Sequence, residues 1–163
     1  MRRVFAGLWV VCGLASAQTV VSGNLECSAP EVRQEIAVGD RPAHAMSLSQ
    51  RSCTWGAGLE IEGAKPGQDS LSLFTDARHD RSQDRGYNVA IMSNGDRIFM
   101  HFVTTVETGG GNPSGCAGTF AISGGTGKFV GIYGSGKLTC SATVDGRISV
   151  RFEGHYVLPR SVK

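Results

Sequence analysis

The chain has 163 residues, with 16 Lys and Arg, 14 Asp and Glu, and a formal net charge of +2. Its first 17 residues have the pattern of a secretory signal peptide, with Arg2 and Arg3, an apolar run over 4–14 and a small-residue cleavage site at 15–17. Removing them would leave a formal net charge of zero, which disfavours nucleic acid or an anionic membrane as the main partner.

The segment after the predicted cleavage point, residues 18–163, has the length of one domain. No later apolar run reaches the roughly 18 residues of a membrane-spanning helix, so we predict no membrane span. We therefore expect an exported protein, either periplasmic or extracellular.

Four of the five cysteines lie beyond the predicted leader: Cys27, Cys53, Cys116 and Cys140. An even number of cysteines in an exported chain favours two disulfides, and four cysteines allow three pairings. We favour Cys27 with Cys53 and Cys116 with Cys140, because each pair would link neighbouring segments. A zinc site is disfavoured because it needs more closely spaced cysteine pairs.

The first half of the chain contains several stretches typical of β-strands. Residues 18–42 are difficult to place, with weak strand character at 19–21 and 32–38. From residue 43 onward, apolar and polar residues alternate with a period of two at 43–49, 59–62 and 70–73, which predicts strands. The charged stretch 76–85 is interpreted as a solvated loop, since mixed charge runs usually form exposed surfaces.

The second half predicts two β-hairpins. Asn94-Gly95 joins strands at 87–93 and 97–106, and Asp145-Gly146 joins 137–144 to a strand that starts near residue 148. A glycine-rich loop at 108–115 precedes another strand at 116–122. The chain therefore has about eight short strands and essentially no helix, which indicates an eight-stranded barrel or a sandwich.

Glycine is enriched about twofold over its usual share, with 23 residues in all. Six of these cluster in one stretch: Gly124, Gly125, Gly127, Gly131, Gly134 and Gly136. Such residues let strands bend at barrel corners, and we expect Phe129, Ile132 and Tyr133 to plug one end of the lumen. A phosphate-binding loop is excluded because Phe129 stands where the motif needs Ser or Thr.

Three stretches resemble the dirigent and allene oxide cyclase barrel-like families. The run 123–136, SGGTGKFVGIYGSG, is similar to their G-G-T-G-K-F-x-G signature, and the run 93–96, SNGD, resembles their G-D hairpin. The run 152–159, FEGHYVLP, resembles their closing E-G-x-Y-x-L-P strand. On this similarity, which covers 86–159, the chain is identified as a bacterial exported member.

The resemblance implies an all-β domain, a single eight-stranded antiparallel barrel of the calycin type, which we assign to residues 43–163 after an N-terminal segment at 18–42. It implies a central cavity that handles small hydrophobic molecules, either cyclising them or steering their radical coupling. Relatives of this fold are dimeric or trimeric, so it also implies a homo-oligomer. None of the families' catalytic residues matches a position here, so none is carried over.

Histidine is the side chain that titrates near neutral pH, and the chain has four. His101 is the candidate catalytic residue, because it shares a strand face with Phe99 and Val103 and would meet a ligand if that face lined the lumen. The competing interpretation is a histidine paired with a cross-strand neighbour. Candidate ligand-binding residues are Tyr87, Met92, Phe99, His101 and Phe102.

No metal or cofactor is predicted. The histidines do not occur in H-x-H or H-x-x-x-H pairs, and the acidic run at Asp76, Asp80 and Asp84 lacks the EF-hand pattern. The main functional hypothesis is a barrel that binds a small hydrophobic molecule in its lumen. The alternatives are an isomerase, cyclase or dirigent-like protein acting on such a molecule, and a barrel without ligand whose loops bind another protein.

Overall fold

The computed structural model describes residues 17–57, 59–109 and 112–159. These contain nine strands and one short 3₁₀ turn at Gly127–Phe129. The strands are β1 Thr19–Cys27, β2 Val32–Ala37, β3 Ala45–Trp55, β4 Pro66–Ala77, β5 Arg81–Met92, β6 Arg97–Gly109, β7 Asn112–Gly125, β8 Tyr133–Ala142 and β9 Ile148–Val157. The predicted leader lies outside the described residues except for Ala17. Within the described ranges, no helix is long and apolar enough to cross a membrane.

Eight of the strands form a closed antiparallel barrel, which confirms the predicted fold. From β3 to β9, each strand pairs with its neighbours in sequence, and β1 pairs with both β9 and β3. Strand β1 lies in the segment that the sequence did not place, and it completes the barrel. The ninth strand, β2, is additional and pairs with the first half of β3.

Alternation along the strands separates an inner from an outer face, as the two-residue period of a β-strand requires. On β6, Ile98 and Thr104 are buried while His101 and Val103 are exposed. The same alternation buries Leu71 and the other inward residues of β4. Every second residue of the eight barrel strands thus points into the lumen.

The glycine cluster closes one end of the barrel. Phe129 and Ile132 are almost completely buried and belong to the main hydrophobic cluster. Gly127 has a positive φ of 54°, and a Cβ there would overlap the carboxylate of Asp96. The prediction that Tyr133 also plugs this end is wrong, because it is 54% exposed at the start of β8.

Both predicted hairpins are confirmed. Gly95 and Gly146 each have a φ of 83°, and their N–H groups donate to Met92 O and Thr143 O at 2.8 and 2.9 Å. These positive φ values are the reason for glycine in the two turns.

Three other predictions for local structure are wrong. The charged stretch 76–85 is not a loop, because β4 runs to Ala77 and β5 starts at Arg81 after a tight turn. Residues 59–62 do not form a strand but a loop with one isolated bridge, between Ile61 and Ala64. The predicted loop at 108–115 is mostly strand, since β6 runs to Gly109 and β7 begins at Asn112.

The favoured cysteine pairing is confirmed by two disulfides, Cys27–Cys53 and Cys116–Cys140. Each disulfide joins residues that lie directly opposite each other on adjacent strands. Cys27–Cys53 links β1 to β3, where the barrel closes, and Cys116–Cys140 links β7 to β8.

The two disulfides allow a matched test of barrel closure. Their sequence separations are 26 and 24 residues, so loop entropy alone predicts about 3.5 kcal/mol of stabilisation for each. We expect the double change Cys27→Ala with Cys53→Ala to lower the free energy of unfolding more than Cys116→Ala with Cys140→Ala. The reason is that β1 and β3 share only three residue pairs, whereas β7 and β8 share seven. Urea unfolding measures both losses, and equal losses would contradict the expectation.

Candidate ligand site in the barrel lumen

The lumen contains a cavity with mainly apolar walls. The cavity has a volume of about 80 Å³, several times the roughly 10–15 Å³ that one water needs. Aromatic rings form part of the wall: Trp55 and Phe120 each meet the ring of Phe152 edge-on, with centroids 5.2 and 5.8 Å apart. The cavity is therefore suited to a small molecule with apolar surface.

One wall of the cavity is polar. Asp84 and Asn88 on β5 and Thr104 on β6 point inward, because the alternation of their strands places them on the lumen face. Buried atoms without a hydrogen-bond partner in the described protein include Asp84 Oδ1, both amide atoms of Asn88 and Trp55 Nε1. Such groups lose hydration free energy unless they are paired. Their accessible surface is almost nil, so a molecule in the cavity would reach them only after these side chains turn.

The carboxyl group of Asp84 is held in a poorly hydrated site. Burial raises its pKa, and the Thr75 hydroxyl and the positive charge of Arg51 oppose the increase. Arg51 is itself buried, and its Nη1 donates to the carbonyl oxygens of Gly146 at 2.5 Å and Ser28 at 3.2 Å. Asp84 can thus hold a proton at a higher pH than an exposed aspartate.

A second buried carboxyl, Asp69, lies next to residues of the cavity wall and is 2% exposed. Burial raises its pKa to about 6, and the nearby Asn88 amide, Trp55 indole and Ile91 backbone partly offset this. Neither Asn88 nor Trp55 reaches hydrogen-bond geometry with the carboxylate, whose two oxygens have no partner in the described protein. Desolvation therefore dominates at Asp69.

The structure brings only part of the predicted ligand-binding set to the lumen. Phe102 lines the cavity. Met92 is buried in the hydrophobic cluster but is not part of the cavity wall. Phe99 and His101 lie on the outer face of β6, and Tyr87 is 70% exposed on the outer face of β5.

The condition attached to His101, that its face lines the lumen, is not met. Its neighbours Met100 and Phe102 point inward, so His101 points outward. It lines a shallow groove on the barrel exterior together with His155. The sequence leaves the lumen face of β6 open, because both faces of this strand carry apolar side chains.

The other two histidines also lie away from the cavity. His44 is held by two carboxylates, with Nδ1 2.5 Å from Asp40 Oδ1 and Nε2 3.0 Å from Asp76 Oδ1. His79 lies in the turn between β4 and β5. Within the described ranges, no group of three or more His, Cys, Asp or Glu is arranged to hold a metal ion.

The sequence alone does not reveal the polar wall. The charged stretch 76–85 predicts a solvated loop at Asp84, and no motif points to Asn88 or Thr104. The two-residue period of a strand places Ala90, Asn88 and Asp84 on one face. The structure agrees, since each of these three residues is buried or half-buried.

Comparison with known proteins supports the fold but identifies no family. No family model matches the chain, and no curated protein matches it either. Among solved structures, the pterocarpan synthase dirigent protein PsPTS1 has a TM-score of 0.56 at 14% identity, over 89% of this chain and 97% of that one. The pterocarpan synthase dirigent protein GePTS1 has a TM-score of 0.51 at 11% identity, over 90% and 88%. Pyocyanin demethylase has a TM-score of 0.41 at 19% identity, over 81% and 99%. The fold is a dirigent-like barrel.

The raised pKa of Asp69 predicts a pH-dependent cost of folding. The pKa of Asp69 is about 6 in the folded state and near 4 in the unfolded state. Below about pH 4 the carboxyl is protonated in both states, so its burial carries no ionisation cost. As pH rises through 6, the free energy of unfolding falls to a lower, constant value. At pH 8 the cost is about 3 kcal/mol. We expect Asp69→Asn to be more stable than wild type by about this amount at pH 8, relative to the difference at pH 4. Urea unfolding at both pH values measures it, with the exposed change Asp80→Asn as control. A constant difference across pH would refute the desolvated carboxyl.

Proposed function

We propose that the barrel binds a small, mainly apolar molecule with one polar group in its lumen. The observation that carries this proposal is the cavity with aromatic and aliphatic walls and one side formed by Asp84, Asn88 and Thr104. Apolar burial provides affinity at about 25 cal/mol per Å². The few polar groups orient the ligand, as in most small-molecule sites.

The polar atoms without a hydrogen-bond partner indicate which polar groups the ligand would carry. Asn88 carries both a donor and an acceptor, Trp55 Nε1 is a donor, and Asp84 carries a carboxyl group; each is buried without a partner and would turn toward the cavity to reach a ligand. A hydroxyl or carbonyl group on the ligand would pair with them and recover part of the free energy lost by their burial. The named activity of two structural neighbours, pterocarpan synthase, is consistent with a small molecule in a barrel of this shape.

We also propose that the protein acts after export. The two disulfides fit an oxidising compartment such as the periplasm or the cell exterior. The leader pattern at residues 1–17 supports the same location.

A second candidate function is an acid-assisted isomerisation or cyclisation of the bound molecule. The observation in its favour is Asp84, a carboxyl group with a raised pKa on the cavity wall. A carboxyl group whose burial favours the protonated form can donate that proton to a ligand oxygen or carbon and take a proton back from another position.

Filling the cavity should weaken ligand binding. Trp55 lines the cavity and is the only tryptophan of residues 18–163, the chain expected after export, so its emission reports occupancy. In that chain we expect Val150→Phe, on the inner face of β9, to weaken cyclohexanol binding by about tenfold or more, which is about 1.4 kcal/mol.

The matched control is Val103→Phe, which adds the same ring on the exposed outer face of β6. We expect it to leave the affinity unchanged. Methylcyclohexane, which lacks the hydroxyl group, should bind more weakly than cyclohexanol because it cannot pair with the polar wall. If neither compound alters Trp55 emission and native mass spectrometry finds only the bare chain, the lumen is not a ligand site and the interaction-protein hypothesis gains support.

Asp84→Asn separates binding from chemistry. The amide keeps the size of the side chain and its hydrogen-bonding ability but cannot donate a catalytic proton. For a ligand recovered from the purified protein, we expect binding within about threefold of wild type and conversion lowered by about 100-fold or more. Chromatography of the incubated ligand measures conversion. Unchanged conversion would exclude the acid role and leave the binding proposal intact.

A further inference from the structure

Strand β2 lies outside the barrel and has one open edge. It pairs with β3 from Val32 opposite Gln50 to Ala37 opposite Ala45. All six of its residues are exposed, and no described strand pairs with its other edge. An open edge of this kind presents free backbone N–H and C=O groups to another chain.

The hydrogen bonds between β2 and β3 show which residues of β2 direct their N–H and C=O groups to the open edge. Just beyond the strand, Val38 donates its N–H to the carbonyl oxygen of His44, across the strand pair, at 3.0 Å. In an antiparallel ladder, the N–H and C=O of one residue point to the same side, and this side alternates along the strand. Arg33, Glu35 and Ala37 therefore direct their backbone groups to the open edge.

The sequence of β2 is complementary to itself across this edge. If two copies pair antiparallel, hydrogen-bonded positions must come from residues 33, 35 and 37 of both chains. Placing Arg33 opposite Glu35 of the second copy satisfies this condition and forms two opposite-charge pairs. The same register puts Val32 opposite Ile36 and Gln34 opposite itself on the two-fold axis.

The neighbouring registers lack this match. A shift by one residue on each chain places either Arg33 opposite Arg33 or Glu35 opposite Glu35, and like charges directly opposite each other destabilise a strand pair. Arg33 and Glu35 already form an ion pair within one chain. In the matched register, the four charges of two copies would alternate in sign around the axis.

We propose that two copies of this chain associate through their β2 edges, with Arg33 of each copy opposite Glu35 of the other. The pairing is isologous, as a two-fold dimer requires, and it joins the two sheets into one. It also covers Ile36 and Val32, which are 72% and 54% exposed. The proposal is independent of the lumen, because β2 contributes no barrel strand.

Charge reversal tests the register directly. In Arg33→Glu, two glutamates of one copy face two glutamates of the other, and in Glu35→Arg the facing residues are all arginines. We expect each single change to raise the dimer dissociation constant by about tenfold or more, measured by sedimentation equilibrium. The double change Arg33→Glu with Glu35→Arg restores opposite charges and should return the constant to within about threefold of wild type.

Mixing the two single variants adds a stricter test. One chain then offers two glutamates and the other two arginines, so we expect a heterodimer from two chains that associate poorly alone. All six β2 side chains are exposed, and circular dichroism verifies that each variant retains the fold. A wild-type protein that stays monomeric at high micromolar concentration would overturn the proposal, as would single variants that dimerise like wild type.

A cysteine on the two-fold axis of the dimer tests the register of the two β2 strands. In the proposed register, Gln34 faces itself at a pair without hydrogen bonds, where Cα atoms lie about 4.5 Å apart, within disulfide range. We expect Gln34→Cys to form a dimer linked by a disulfide under mild oxidation. The control Ile36→Cys would lie about four residues from its copy, roughly 13 Å along the strand, and should stay unlinked. Linkage of Ile36→Cys without linkage of Gln34→Cys would refute this register.

Discussion

The closed lumen depends on a short contact between β1 and β3. Only Leu25–Trp55, Glu26–Thr54 and Cys27–Cys53 pair there, whereas β1 and β9 pair over the full length of β1. Without this contact, the eight strands would form an open sheet with two unpaired edges. The disulfide lies at one end of the contact, and Trp55 at the other end forms part of the cavity wall. Closure of the barrel and formation of the ligand site therefore involve the same residues.

The polar wall acts against the stability of the barrel. An apolar lumen raises the pKa of both Asp69 and Asp84 by desolvation, and several of the neighbouring donors and acceptors have no partner in the described protein. Apolar residues of similar size would fill this space without that cost. Proteins keep such groups most often where they act on another molecule. This is the physical reason why the proposed function centres on Asp84 and Asn88 rather than on the histidines, which lie away from the cavity.

The sequence predicted those features that depend on local chemistry. The turns at Gly95 and Gly146 were recognisable because their positive φ values require glycine-like residues. The face of a strand was harder to predict: β6 has Phe102 inside and Phe99 outside, so apolar content could not decide where His101 points. The inward position of Asp84 was not predictable locally, because a charged stretch is typical of a loop. Only the pairing of β5 with β4 and β6 shows that its charged residues alternate between the two faces of a strand. The open edge of β2 depends on pairings that only the assembled barrel defines.

The pairing of β1 with β9 has a consequence for the order of folding. Thr19 lies opposite Tyr156 and Cys27 opposite Ile148, so contacts between the first and last strands span almost the whole chain. Such non-local contacts form late, since the intervening chain must first be brought together. Strand β1 is thus synthesised before the other described strands but is among the last to find its full set of partners. Until β9 is made, the edge of β1 that pairs with it would stay open to chaperones.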